Sequence, residues 1–161
     1  MPIIFTADIA ARLITSFLGT VGFAILLNVS ARKIPCAALG GLFTYAVYEL
    51  AALLGANVLV CAFASSLFMT LYSEIFARVL RTPALMFLLP CAIPIVPGSG
   101  LYYTIYNLLF YNEASLFEHG ARTLAIALGI ALGFGIGMTL VGCITAIPRR
   151  TKKDNTSKKA L

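Results

Sequence analysis

The chain has 161 residues, of which 60% are hydrophobic and only 11% are charged, and its mean hydropathy is +0.95. An ordinary soluble domain is about half apolar and about a quarter charged, so this composition excludes a disordered chain and argues against a soluble enzyme. The formal charge is +6, but six of the twelve basic residues fall within residues 149–161. The charge therefore belongs to a basic tail, and we expect no nucleic-acid partner.

Long uncharged stretches divide the chain into apolar segments. A bilayer requires about 20 apolar residues for each helix that crosses it. The pattern predicts an all-α membrane protein with about five transmembrane helices, at residues 10–29, 35–54, 57–77, 83–110 and 122–147. We expect a loop at 111–121, a helix end at Pro148, one transmembrane domain at 1–148 and a basic cytoplasmic tail at 149–161, with the lipid bilayer as the first partner.

Basic residues beside these spans predict the orientation. The loops after spans 1 and 3 and the tail together hold ten Lys and Arg residues, whereas the other side holds only Arg12 and Arg122. Because basic residues accumulate on the cytoplasmic side, the N-terminus should lie outside the bacterial cytoplasmic (inner) membrane and the C-terminus inside. The alternative is that span 4 re-enters without crossing, which would place the basic tail outside.

No residue pattern in the sequence defines an enzyme. The four cysteines lie in apolar segments without a Cys-x-x-Cys pair, which is typical of packing residues. His119, the single histidine, falls in the predicted loop and is interpreted as a solvated residue. We expect no catalytic residue, no metal site and no cofactor.

Small residues recur at every fourth position of span 5. They are Ala125, Gly129, Gly133 and Gly137. A face of this kind lets another helix backbone approach closely, whether that helix belongs to this chain or to a partner. We expect the protein to work as a homo- or hetero-oligomer.

Polar side chains within the predicted spans are few, and each is a candidate for function because such residues are costly at membrane depth. Glu49 lies near the outer end of span 2. Ser66, Thr70 and Glu74 are spaced by four residues on span 3, so they share one helix face. This face is either a polar stripe along a substrate route or, for Glu74, half of a local ion pair with Arg78.

The middle of span 4 is rich in proline and glycine. Three prolines within residues 90–97 remove backbone donors, and Gly98 and Gly100 permit backbone angles that other residues resist. We expect the helix to be interrupted over 94–100. Irregular backbone at this depth survives only where it is buried in protein or lines a wet cavity, and broken helices build the substrate sites of many secondary transporters. A helix that restarts near Ser99 would offer free N–H groups to a carboxylate. The alternative is a structural kink.

The same segment, Ala92-Ile93-Pro94-Ile95-Val96-Pro97-Gly98-Ser99-Gly100-Leu101-Tyr102, resembles the proline-glycine signature of the threonine/serine exporter family. Residues 22–29 and 78–84 are similar to other parts of that family. The size and hydropathy match the small membrane subunit of its split, two-gene form.

This resemblance implies a secondary exporter of threonine and serine that works with a larger subunit of the same family; some split pairs are linked instead to small dicarboxylates. With the family's motif positions, the candidate substrate and gate residues are Asn28, Glu49, Ser66, Thr70, Glu74, Pro94, Pro97, Gly98, Ser99, Gly100 and Tyr102. A membrane scaffold without a substrate route is the competing function. A transporter should gather the polar face of span 3 and the 94–102 backbone around one cavity, whereas a scaffold should pack them dry.

Overall fold

The computed structural model describes the backbone of residues 2–110 and 113–157 and the side chains of residues 8–110 and 115–144. The chain forms six helices over these residues: α1 (Pro2–Leu26), α2 (Ile34–Leu53), α3 (Val58–Val79), α4 (Leu85–Ala92), α5 (Gly98–Leu109) and α6 (Glu113–Ser157). A 3-10 turn at Ile93–Ile95 follows α4. The described residues include no strand, so the predicted all-α fold is confirmed.

The five predicted spans correspond to four continuous apolar helices and one bent pair. The continuous segments are Asp8–Leu26, Ile34–Leu53, Val58–Val79 and Ser115–Ile144. Leu85–Ile95 and Gly98–Leu109 form the bent pair, with 53° between their axes. Each of these helices, and the pair taken together, is long and apolar enough to cross a membrane.

The boundaries of the last helix differ from the prediction. A loop was expected at 111–121, but α6 begins at Glu113, and it continues beyond Pro148 to Ser157; residues 111 and 112 lie outside the described part of the chain. The reason is that charged residues such as Glu118 mark where an apolar run ends, not where a helix ends. Glu, Ala and Leu, which dominate the start of α6, are good helix formers.

Asn28 ends α1 in a left-handed backbone conformation, with φ of 56°. Its N–H donates to the carbonyl of Ile25, and the Val29 N–H donates to the carbonyl of Ala24, both at 2.9 Å. This is the Schellman arrangement, and Ala24 and Val29 pack together in the core as the motif requires. The same pattern of bonds ends α2 at Gly55 and α3 at Arg81. Asn28 is thus a helix cap, a position at which asparagine tolerates positive φ better than most residues.

Small residues bring the first helices into contact. The Ser16 hydroxyl of α1 donates to the Gly41 carbonyl of α2 at 3.2 Å. Thr20 occupies the space that a Cβ on Gly41 would need, and Tyr72 of α3 lies similarly close to Gly40. The helices therefore pack through backbone and small side chains, as is usual for helices within membranes.

The small-residue face of the last span packs against α3 of the same chain. Gly129, Gly133 and Gly137 lie against Leu59, Phe63 and Thr70, in that order. The packing role predicted for these glycines is confirmed. Because residue numbers rise together along both helices, α3 and α6 run parallel.

This parallel arrangement decides the course of the bent pair. We call the end of the bundle where α3 begins the Glu49 end, and the end where α3 finishes the Arg78 end. Since α6 also starts at the Glu49 end, the chain between the two helices has to return there. The bent pair therefore returns the chain from the Arg78 end to the Glu49 end, as one broken span would.

Candidate functional site

The interruption of the fourth span is short. The helix continues through Pro90 to Ala92, the 3-10 turn follows, and Val96 is extended with φ −64° and ψ 127° before α5 starts. Pro97 cannot supply the N–H that would bond to the Ile93 carbonyl, so Val96 donates to that carbonyl instead, at 3.3 Å. The predicted break is confirmed, and the prolines are its physical cause.

The glycines of this segment do not act as predicted. Among the described glycines only Gly55 has a positive φ, so the expectation of unusual backbone angles at Gly98 and Gly100 is wrong. Gly98 has open space around it. A Cβ on Gly100 would collide with the Thr123 hydroxyl, so this glycine allows α5 to lie close against α6.

A cavity of about 350 Å³ lies beside the break. Residues 94–97, which form the break, line this cavity. Its polar wall includes Arg12, Tyr45, Tyr48, Ser99, His119 and Arg122. The cavity therefore joins the start of α1, the second half of α2, the first turn of α5 and the start of α6.

An ion pair connects α1 and α2 at one side of this cavity. Arg12 Nη1 lies 3.3 Å from Glu49 Oε1, and the Tyr45 hydroxyl donates to the same oxygen at 2.7 Å. The Glu49 side chain is only 14% exposed, whereas that of Arg12 is 63% exposed. A carboxylate with so little access to water requires such partners, and the two bonds hold Tyr45 and Arg12 in place at the cavity wall.

Helix α6 supplies another part of the cavity wall. His119, Arg122 and Thr123 share one face because they are three and four residues apart. The His119 ring stacks on Tyr103 with 5.4 Å between ring centroids, and Arg122 interacts with Tyr48. His119 therefore lies on a helix, and its predicted place in a loop is wrong. Continuing the helix through the charged residues would have revealed this face from the sequence.

The predicted site residues separate into three groups. Those that line the cavity are Pro94, Pro97, Ser99 and Gly100, and Glu49 contacts two lining residues. Gly98 and Tyr102 lie in the first turns of α5, close in sequence to the lining residues, but they do not line the cavity themselves. Those that lie elsewhere are Asn28, Ser66, Thr70 and Glu74.

The polar face of α3 packs against α6. The Ser66 hydroxyl lies 3.3 Å from the Gly129 carbonyl, and the Thr70 hydroxyl donates to the Ser66 carbonyl at 2.8 Å. Glu74 pairs with Arg78 at 3.5 Å, so the local ion pair predicted for it is confirmed. The expectation that this face and the break surround one cavity does not hold among the described residues, because small residues on α6 draw the face into a dry helix contact.

An apolar cavity of about 410 Å³ lies on the other side of the break. Met69, Leu88, Leu101 and Phe134 are among its lining residues. Pro97 borders both cavities. The first cavity is lined by arginine, histidine and hydroxyl groups, so it suits a polar ligand.

Several apolar helices around a broken span define a multi-pass membrane protein of the kind found among secondary transporters. Residues 12–140 match the threonine/serine exporter family, ThrE, over a range that includes the break and both cavity arginines. The chain belongs to this family of transporters, as the proline-glycine segment predicted. No curated protein and no solved structure matches the chain.

Proposed function

We propose that this chain is the small membrane subunit of a two-subunit secondary exporter that moves threonine and serine out of the bacterial cytoplasm. In this proposal the substrate binds in the 350 Å³ cavity beside the break. The observation that carries it is that the proline-glycine segment, which resembles the family's signature, lines the polar cavity.

The dimensions and chemistry of the cavity support this role. Ligand pockets commonly measure about 300–1,000 Å³, so a small amino acid fits. Arginine side chains and the first N–H groups of α5 are suited to a carboxylate. Hydroxyl groups of the tyrosines that line the cavity are suited to an ammonium group.

The position of the cavity suits alternating access. Pro94 and Tyr45 both line it, and Tyr45 lies near the middle of α2. A site at this depth can be opened to either side by small movements of one half of the broken span against the rest.

The proposal includes an orientation and a partner. The Glu49 end faces outward and the Arg78 end and the basic tail face the cytoplasm, in keeping with the distribution of basic residues. The larger partner has surface available to it on α5, because α5 packs against α6 alone among the described elements. Tyr102, Tyr106 and Phe110 are exposed along this helix.

A small dicarboxylate is the second candidate substrate. The cavity is lined by Arg12 and Arg122, and the carboxylate of Glu49 is the acidic group that contacts the lining. An excess of positive charge favours an anion over a zwitterion with no net charge.

Efflux measurements test the proposal. Cells loaded with radiolabelled threonine, serine or a dicarboxylate would carry this chain, its candidate partner, or both. We expect threonine and serine efflux only with both chains. If cells that express both chains release neither threonine nor serine, the proposed function is contradicted.

A proline substitution connects transport to the break. Pro97→Ala restores a backbone donor, so it should raise the melting temperature in detergent and slow efflux. Pro35→Ala is the matched control, because Pro35 lies in the first turn of α2, where proline interrupts no helix. Normal efflux by Pro97→Ala would mean that the break is a structural kink and not part of the transport mechanism.

A further inference from the structure

The two arginines of the cavity differ in what neutralises them. Arg12 has a carboxylate partner, since its guanidinium lies 3.3 Å from Glu49. Within the described part of the chain no carboxylate lies at ion-pair distance from Arg122. Its neighbour in the cavity is Tyr48, a neutral residue. Arg122 therefore makes no ion pair within the described residues, although Glu118 lies one helical turn earlier on α6.

The charge of Arg122 is permanent and lies on an apolar helix. A guanidinium does not lose its proton in proteins, so Arg122 cannot become neutral as a buried lysine can. Arg122 falls within the apolar segment Ser115–Ile144. A cation in such a segment is costly unless an anion or a water-filled space accompanies it. The polar cavity supplies the space, and a ligand can supply the anion.

The groups that share the cavity with Arg122 are suited to the same kind of ligand. Ser99 and Gly100, in the first turn of α5, line the cavity too, and no side chain caps that helix start. The first N–H groups of a helix lack partners within it and carry the positive end of its dipole. An anionic group held by Arg122 would therefore meet favourable charge from α5 as well as from α6.

We propose that Arg122 is the residue that binds the carboxylate of the transported substrate, while Arg12 stays paired with Glu49. This inference rests on the proposed function, because it assigns one group of the substrate to one residue of the same cavity. The planar guanidinium can hold both oxygens of a carboxylate through two parallel hydrogen bonds. The charge of Arg12 is already partly neutralised by Glu49, so Arg12 attracts a second carboxylate less strongly than Arg122 does.

Equilibrium binding of radiolabelled threonine to the purified complex of both subunits tests the assignment. Arg122→Gln should weaken binding by about 10- to 100-fold, as expected for the loss of a charge-assisted pair of hydrogen bonds. Arg122→Lys should retain part of the affinity, because it keeps the charge but not the two-pronged geometry. Threoninamide, which lacks the carboxylate, should compete poorly in the wild type.

The matched control is Arg78→Gln, which removes the same charge and also breaks an ion pair, but at the other end of the bundle. It should leave threonine affinity unchanged. Melting temperatures of all variants would establish that they are folded. Wild-type affinity in a folded Arg122→Gln variant would overturn the assignment, and so would a loss confined to Arg12→Gln.

A second measurement separates this inference from the proposed function. Phenylglyoxal modifies accessible guanidinium groups, and mass spectrometry reports the modification of each arginine. Threonine or malonate should slow the modification of Arg122 and leave that of Arg12 unchanged. Protection of Arg122 by malonate without any binding of threonine would keep the assignment and refute the amino-acid proposal. Threonine binding without protection of Arg122 would refute the assignment of Arg122 and keep the amino-acid proposal.

Discussion

Gly133→Ala adds one methyl group to the contact between α6 and α3. The added Cβ would lie 2.5 Å from the Phe63 carbonyl oxygen and 3.0 Å from the Leu67 nitrogen, and it would also collide with the Ser66 hydroxyl. Ordinary contact begins near 3.4 Å, so α6 has to move away by about 0.9 Å at this point. Backbone atoms cannot rotate aside, which leaves displacement of the whole helix as the response.

The cost follows from this displacement. Inserting a methyl group into a well-packed contact typically costs about 1–3 kcal/mol, and a gap of 0.5–1 Å forfeits roughly a quarter to a half of each dispersion contact. Alanine recovers about 0.5–1 kcal/mol relative to glycine through helix propensity. Helices in a membrane associate mainly through such packing, so we expect a net destabilisation of about 1–2 kcal/mol.

Gly135→Ala provides the control on the same helix. No atom outside its own helix lies within 4 Å of a Cβ at Gly135, so this variant gains helix propensity without a collision. Melting in detergent should be lower for Gly133→Ala than for Gly135→Ala by roughly 2–12 °C, using about 2–4 °C for each kcal/mol. Efflux should fall only in Gly133→Ala, because α6 carries His119 and Arg122 into the cavity. Equal melting temperatures for the two variants would refute this account of the α3–α6 contact.

Three further predictions concern single positions. Asn28→Val should lower the free energy of unfolding by about 1–2 kcal/mol, and Asn28→Gly should not, because only valine resists positive φ. Equal free energies of unfolding for the two variants, measured by denaturation, would contradict the capping role of Asn28. Gly100→Val should disturb the α5–α6 contact through a collision with Thr123, whereas the side chain of Gly98→Val meets open space. Gly100→Val should therefore reduce efflux more than Gly98→Val does. The opposite order in a transport assay would show that the collision with Thr123 is unimportant. In a variant without native cysteines, a membrane-impermeant thiol reagent should label Asn57→Cys in intact cells and Asn155→Cys only after lysis. Labelling of Asn155→Cys in intact cells would show that the C-terminus lies outside and would contradict the proposed orientation.

The sequence alone determined the features that depend on local chemistry. Apolar runs of bilayer length define the spans because each crossing needs about the same number of residues whatever its neighbours are. The break was also predictable, since Pro94 and Pro97 lack the N–H that a continuous helix uses, in every environment. The spacing of Gly129, Gly133 and Gly137 likewise identified a packing face before its partner helix was known.

The tertiary structure alone decided which residues share a cavity. Arg12 and Glu49 are 37 positions apart, and Arg122 is more distant still, so no local pattern relates them. They meet because parallel packing of α3 and α6 brings the start of α6 to the Glu49 end, where the first turn of α5 also lies. Ser66 and Thr70 have a polar spacing that resembles a substrate route, yet the same packing closes that face against α6. Periodicity shows which side chains lie on one face of a helix, but only the arrangement of the other helices determines whether that face meets a cavity or a neighbouring backbone.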